Sequence, residues 1–541
     1  MFRLKTFLAR CLGTVALGAL LLGGSVAAPI GDTAQAANFR LEFVGRHSGG
    51  GETAAEIAAY DRVTQRLFIT NARDNKLMIV SIADPANPVE IAAIDLSPYG
   101  GGPNSVAVSR RKIAVAVEAN VKTDPGSVVF FDADGKFRSK VTVGALPDMV
   151  TFTPDGNWLL VANEGEPNSY NQPDSVDPEG SVSIINTSHT TVNQSDVRSA
   201  HFRRFNGQEA ELRAQGIRIF GPNATAAQDF EPEYVAVSAD SKTAWVTLQE
   251  NNALAIVDIE RAVVKRVVPL GYKNHGRAGN ELDASDRDGA INIRRWRNVF
   301  GMYMPDAIAS YEVDGQTYLV TANEGDARDY TGFAEDARVK DLTLDPLVFT
   351  NPKVQDDNRL GRLTVTTANG DDNKDGSFEK LYAFGARSFS IWNARGKLVY
   401  DSGAELEKIT AAAFPDFFNS DHAETSFDNR SDNKGPEPEG VAVGKAFNRN
   451  FAFIGMERIG GVATFDVSDP KAPVFVDYVN TRNFGAASPA EAGDVGPEGM
   501  MFIRANQSPT GEPLVVVTNE ISGTTAIYAL RRGKRPEVAA R

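Results

Sequence analysis

Acids recur in this chain at the two ends of short apolar segments, and that spacing is its clearest chemical signal. Seven segments open on an acid or amide and run into an apolar strand: Glu56-Ile-Ala-Ala-Tyr, Asn104-Ser-Val-Ala-Val, Asp148-Met-Val-Thr-Phe, Glu233-Tyr-Val-Ala-Val, Asp306-Ala-Ile-Ala-Ser, Glu439-Gly-Val-Ala-Val and Glu498-Gly-Met-Met-Phe. Proline stands directly before six of them. Each is followed by a second strand that ends in an acid: Asp74, Glu118, Glu164, Glu250, Glu324, Glu457 and Glu520. Carboxylates that converge on one volume repel unless they are protonated, paired or neutralised by cations. An oxygen-only donor set favours Ca²⁺, with Mg²⁺ as the second choice, over zinc. Asp326, in N-E-G-D, and Glu437, in P-E-P-E-G, extend the same candidate set. The plainer reading is that each acid caps a loop in its own repeat.

A separate stretch, Asp371-Asp-Asn373-Lys-Asp375-Gly376, matches the opening of a calcium loop. Its twelfth position is Tyr382 where the bidentate acid belongs, so Glu379 is the available substitute and an Asx-rich turn is the competing reading. Bases stand among the acids: Arg328, Arg387, Arg430, Lys434 and Arg458. Arginine grips phosphate or carboxylate bidentately, and a metal-rich mouth edged with such bases suits phosphate-ester chemistry. Ordinary salt bridges to neighbouring acids are the simpler role. Ser431 and His422 lie nearby, but no nucleophile-elbow pattern surrounds the serine.

The elements that must position these residues are hairpins. The midpoint of each acid pair is turn chemistry: Gly156 between Asp148 and Glu164, Ser241 between Glu233 and Glu250, Gly315 between Asp306 and Glu324, Pro509 between Glu498 and Glu520. Antiparallel pairing then sets the two acids side by side, opposite the turn. Further strands follow most hairpins, for example Leu77-Met-Ile-Val-Ser and Val462-Ala-Thr-Phe-Asp, then Glu90-Ile-Ala-Ala-Ile and Val474-Phe-Val-Asp-Tyr. Four strands repeated seven times read as an all-β, seven-bladed β-propeller. The last repeat lacks a strand, which Phe39-Arg-Leu-Glu-Phe-Val supplies from the other end, closing the ring. One domain over 37–541 is expected, with long insertions near 191–230, 271–300, 326–380 and 401–436. A helix is expected from Gln208 to Gln215 with Asn206 as cap. In a propeller the first strand of each blade lines the channel, so the opening acids should meet at one mouth.

Residues 1–36 read as a cleaved signal peptide: Arg3, Lys5 and Arg10 precede an apolar run too short to span a membrane comfortably. The chain carries a net charge of −14. Removing the leader takes away three bases and one acid, Asp32, and moves it to about −16. So acidic a chain disfavours nucleic acid and anionic membranes and attracts cations. Its single cysteine, Cys11, lies in the leader, so the mature protein has no disulfide, thiolate metal site or cysteine nucleophile. The expected product is a bacterial protein of the periplasm or medium, monomeric and without a membrane anchor, since the tail Arg531–Arg541 is polar.

Longer motifs carry a resemblance. V-A-N-E-G-E-P-N (161–168), D-F-E-P-E-Y-V-A-V (229–237), M-P-D-A-I-A (304–309), T-A-N-E-G-D-A-R-D-Y (321–330), F-G-A-R-S-F-S-I-W (384–392), R-S-D-N-K-G-P-E-P-E-G (430–440) and M-E-R-I-G-G (456–461) resemble the choice-of-anchor I domain family. That family includes the mesenchyme-specific cell-surface glycoproteins. The resemblance implies an exported, often surface-attached seven-bladed propeller. It links animal members to biomineralisation and some bacterial ones to an alkaline-phosphatase label. It brings no established catalytic residues. A looser likeness is to calcium-dependent propeller phytases, which also pair an E-G strand start with acids ending the next strand. Three functions follow as expectations. The first is a propeller whose acidic, Ca²⁺-binding mouth takes an anionic ligand or partner. The second is a metal-dependent phosphomonoesterase on the same face, with Glu324, Asp326, Glu437 and Glu439 on metal and Arg328, Arg387, Arg430 or Lys434 on phosphate. The third is a metal-free interaction propeller.

Overall fold

The computed structural model describes residues 38–533; the expected leader and the last residues of the tail lie outside that range. The chain is built mainly of strands with a few short helices. Seven four-stranded sheets account for most of them, each with antiparallel neighbours. Their first strands are Ala58–Asp61, Pro103–Ser109, Pro147–Phe152, Pro232–Val237, Ile308–Val313, Pro438–Ala446 and Pro497–Ile503. Each of these lies against the next, and the seventh lies against the first. The fourth strand of the last sheet is Phe39–Ser48, paired antiparallel with Thr524–Arg532.

The second and third strands explain why the sequence reads as apolar runs. In Arg66–Asn71 every residue after Arg66 is buried. Alternate side chains point to opposite faces, and both faces are covered. Leu67 and Ile69 pack with Leu514 and Val516 of the seventh sheet, while Phe68 packs with Ile113 and Val115 of the second. The same arrangement repeats along the chain: Leu160 and Val182 with Val246, Leu254 with Leu319, Val320 with Ile454, Phe453 with Val515. Apolar packing between sheets, worth about 25 cal/mol per Å² buried, holds the chain together without a disulfide. The turns fall where expected, with Gly156, Ser241 and Gly315 at φ of 64°, 62° and 72°.

The insertions depart from the expectation of loops. Val197–His201, inside the 191–230 stretch, is the fourth strand of the third sheet. The helix is Glu209–Ala214 with Gln208 at its N-cap; Asn206 instead accepts the Ala227 amide at 2.9 Å. The 271–300 and 326–380 segments join in an additional five-stranded sheet, in which Val299–Met302 runs parallel to Leu381–Ala383. That sheet has its own core around Trp296, Val339, Leu363 and Val365. Leu381–Ala383 belongs to it, and Ser388–Asn393 returns to the fifth main sheet.

Candidate functional site: an acidic mouth

A repeated backbone device sets the acids in place. In five hairpins the ladder slips where the first strand begins, between Pro103 and Ser105, Pro147 and Val150, Pro232 and Val235, Pro438 and Val441, and Pro497 and Met500. Proline brings no N–H, so the ladder is already interrupted there. The bulge frees the next residue, the acid or Asn104, to be re-aimed out of the sheet. The residue before proline takes positive φ at Leu146 (45°), Met304 (41°) and Glu437 (50°), an uncommon conformation for side-chain-bearing residues. Its carbonyl then accepts the amide of the second acid: Glu118 to Gly102 at 2.9 Å, Glu164 to Leu146 at 2.9 Å, Glu457 to Glu437 at 2.8 Å and Glu520 to Gly496 at 2.8 Å. One backbone hydrogen bond thus pins the two acids of a hairpin together.

The acids of different hairpins also meet. Glu324, Glu439 and Glu457 offer oxygens that all lie within 4.8 Å of one another. Glu56, Glu118, Asp148, Glu164, Glu498 and Glu520 line one cavity of about 340 Å³ with Lys122 at its edge. Burial, together with repulsion from Glu520 and Asp148, pushes Glu56 up to about 8. Burial raises Asp148 to about 6 against the pull of Lys122. Glu233, Asp306, Glu439 and Glu498 are all raised by burial and by each other: Glu233 feels Glu164 and Asp306, Asp306 feels Glu324, and Glu439 feels Glu498 and Glu457. Glu250 and Glu457 stand at about 7, again mainly through burial. One oxygen each of Glu250, Glu439 and Glu457 is buried without a hydrogen-bond partner. The turns Pro154, Ala239 and Gly315 border a different cavity, at the opposite ends of the hairpins.

Some candidates lie elsewhere. Asp74 is exposed and pairs with Lys76 at 3.1 Å. Asp326, though exposed, stays with the mouth, where Lys434, Glu324 and Glu437 all act on it. In the separate loop, Asp371, Asp375 and Glu379 bring oxygens within 4.8 Å. Asp371, Asn373 and Asp375 there accept the amides of Asp375, Gly376 and Ser377, and Glu379 accepts from Asp372 and Asn373.

The bases proposed for phosphate are held by acids. Arg328 is buried between Asp229 and Glu231, at 3.0 Å from each. Arg387 pairs with Glu407 at 2.7 Å and donates to the carbonyls of Asp283, Ser431 and Asn433. These two serve packing, and neither is placed to hold an incoming phosphate. Arg387→Ala should therefore cost about 3–5 kcal/mol by stranding the buried Glu407, read as a shift in the urea midpoint. Lys434 bridges Glu324 (2.7 Å) and Glu437 (3.1 Å), and Arg430 and Arg458 also reach Glu437. Burial pushes Glu437 up, but these three cations override it and hold the carboxyl well below its usual range. That removes Glu437 from the metal ligands and makes it the anchor of a cationic cluster.

Two further residues join the mouth. Glu166 pairs with Lys122 and accepts from the Tyr330 hydroxyl at 2.6 Å. His422, from the 401–436 insertion, lies 3.3 Å from Glu457 and brings that segment to the acids. Only the acids already present in E-G-E-P could have pointed to Glu166.

The sheet repeat and the gathered acids define a β-propeller-like protein with an acid-lined mouth. The choice-of-anchor I domain model matches residues 56–470, and the chain belongs to that family. Gigasin-3a of Magallana gigas is 34% identical over 194 residues, covering 33% of this chain and 68% of that protein. The mesenchyme-specific cell surface glycoprotein of Strongylocentrotus purpuratus is 26% identical over 316 residues, covering 50% of this chain but only 40% of that protein. Among solved structures, the Cps50 (Swd1) β-propeller domain of Myceliophteria thermophila aligns with a TM-score of 0.43 at 9% identity, covering 91% of this chain and 99% of that one. Among the described residues no helix is long and apolar enough to cross a membrane.

Proposed function

We propose that this is an exported, seven-bladed propeller whose acidic mouth binds divalent cations, Ca²⁺ before Mg²⁺, and through them an anionic ligand or partner. Pairing of Phe39–Ser48 with Thr524–Arg532 supports a ring closed by the N-terminal strand. The cell-surface name of one relative, the mesenchyme-specific glycoprotein, supports export. The observation that carries the cation reading is the Glu324–Glu439–Glu457 triad, whose oxygens lie within 4.8 Å while Glu439 and Glu457 each keep a buried oxygen unpartnered. Buried carboxylates so placed must be protonated or neutralised, and a hard cation with oxygen ligands neutralises several at once.

A phosphomonoesterase is the second reading. Lys434 and Arg458 favour it, because they border the triad through Glu324 and Glu457. A cation on the carboxylates would loosen their hold on these two bases. Elemental analysis of the purified protein should find calcium or magnesium bound. Turnover of a chromogenic phosphate ester that depends on that metal would select the enzyme; bound metal without turnover would select the binding protein. Absence of metal, with a melting temperature unmoved by chelator, would leave the metal-free interaction propeller.

A further inference from the structure

The chain also carries a site of the opposite sign. Arg294, Arg295, Arg297 and Arg359 line one cleft of about 470 Å³, and no carboxylate is among its lining residues. In a chain of net charge −14 that is a local reversal. None of the mouth's acids contributes to it.

Arg294 and Arg359 are half-buried in the cleft, Arg295 and Arg297 are exposed, and the cleft rests on a fixed floor. Trp296 is 7% exposed, is packed in the core of the five-stranded sheet with Leu282 and Leu360, and donates its indole N–H to the Leu282 carbonyl at 3.3 Å. That anchor fixes the arginines on either side of it. The Arg294 guanidinium lies 3.8 Å from the centre of the Trp296 ring. Burial and then the charge of Arg359, arriving from the 326–380 insertion, weigh against the Arg294 charge, while Asp288 and Asp283 favour it. The Nε atoms of Arg294 and Arg359 are both buried without a hydrogen-bond partner. Among the described residues none of the four arginines forms an ion pair, whereas Arg328 and Arg387 each do so with buried acids. The two buried Nε donors, short of acceptors, are what an oxyanion would satisfy. The volume is that of a small-molecule pocket, and Val348, Phe349 and Val354 give it an apolar wall.

We propose that this cleft is a metal-independent binding site for a small organic oxyanion, a phosphate or sulfate monoester. The anionic head would sit between Arg294 and Arg359, and the apolar part would rest on Val348 and Phe349. The full chain is titrated calorimetrically with phenyl phosphate and with phenyl sulfate, in chelator so that the mouth holds no metal. At least one ester should bind, and the preferred one identifies the head group. Arg359→Met should weaken binding tenfold or more while leaving the melting temperature near that of the wild type. If that variant fails to fold, Arg297→Met and the loss of affinity on raising salt give the same reading. Glu457→Gln, in the mouth, should leave ester binding unchanged. Failure of both esters to bind would overturn the proposal, as would wild-type affinity in Arg359→Met or loss of binding in Glu457→Gln.

Discussion

Replacing Glu437 with Gln should destabilise the protein by about 3–5 kcal/mol, the loss expected when one partner of a buried charge cluster is removed. The carboxylate is 0% exposed and accepts from Arg430 and Arg458 beside Lys434. The amide leaves three cations packed around a neutral group. The sign with pH follows from the depressed folded value. The carboxylate's contribution is fully present above its unfolded value near 4.5 and is lost only as pH falls through the folded value, in strongly acid solution. The deficit of the variant should therefore be constant from about pH 6 upward, measured by urea denaturation. A loss below about 1 kcal/mol would mean that the cluster is solvated and that Glu437 does not anchor it.

The mouth should behave in the opposite way. Glu56, at about 8, and Glu250 and Glu457, at about 7, are raised in the folded state. Each favours folding most when protonated, and that contribution fades as pH rises from the unfolded value near 4.5 through the folded one. With a pKa unit worth about 1.4 kcal/mol, several such groups outweigh most single interactions in the molecule. In chelator, the melting temperature should fall steadily between about pH 5 and 8. Ca²⁺ should restore it, with little effect at pH 5, where protons already neutralise the acids, and most at pH 8. A melting temperature flat across that range in chelator would mean that the carboxylates are not desolvated together.

Much of this was legible in the residues. The paired acids and the turn at the midpoint of each hairpin are local features, so Glu439 and Glu457 could be placed together from their spacing. Phe39–Ser48 could be assigned to the last sheet because one strand was missing there. What escaped notice was non-local. Val299–Met302 and Leu381–Ala383 pair in parallel across the whole fifth hairpin, and no periodicity announces such a partner. A salt bridge was the simpler role for Arg328, but its partners are not the neighbouring acids: Asp229, whose carbonyl it also contacts, is 99 positions away, and Glu231 lies beside it. The bulge in five hairpins and the positive φ before proline at Leu146, Met304 and Glu437 accompany the repeated Pro-acid pair, but the pattern alone does not state a dihedral angle.

If carboxylates from separate hairpins jointly hold a divalent cation, calorimetric titration of chelator-treated protein with Ca²⁺ at pH 8 should show saturable binding. Glu439→Gln and, independently, Glu457→Gln should each weaken it tenfold or more, with Asp74→Asn as the unaffected control. No heat of binding, or binding untouched by both mouth variants, would contradict a shared site.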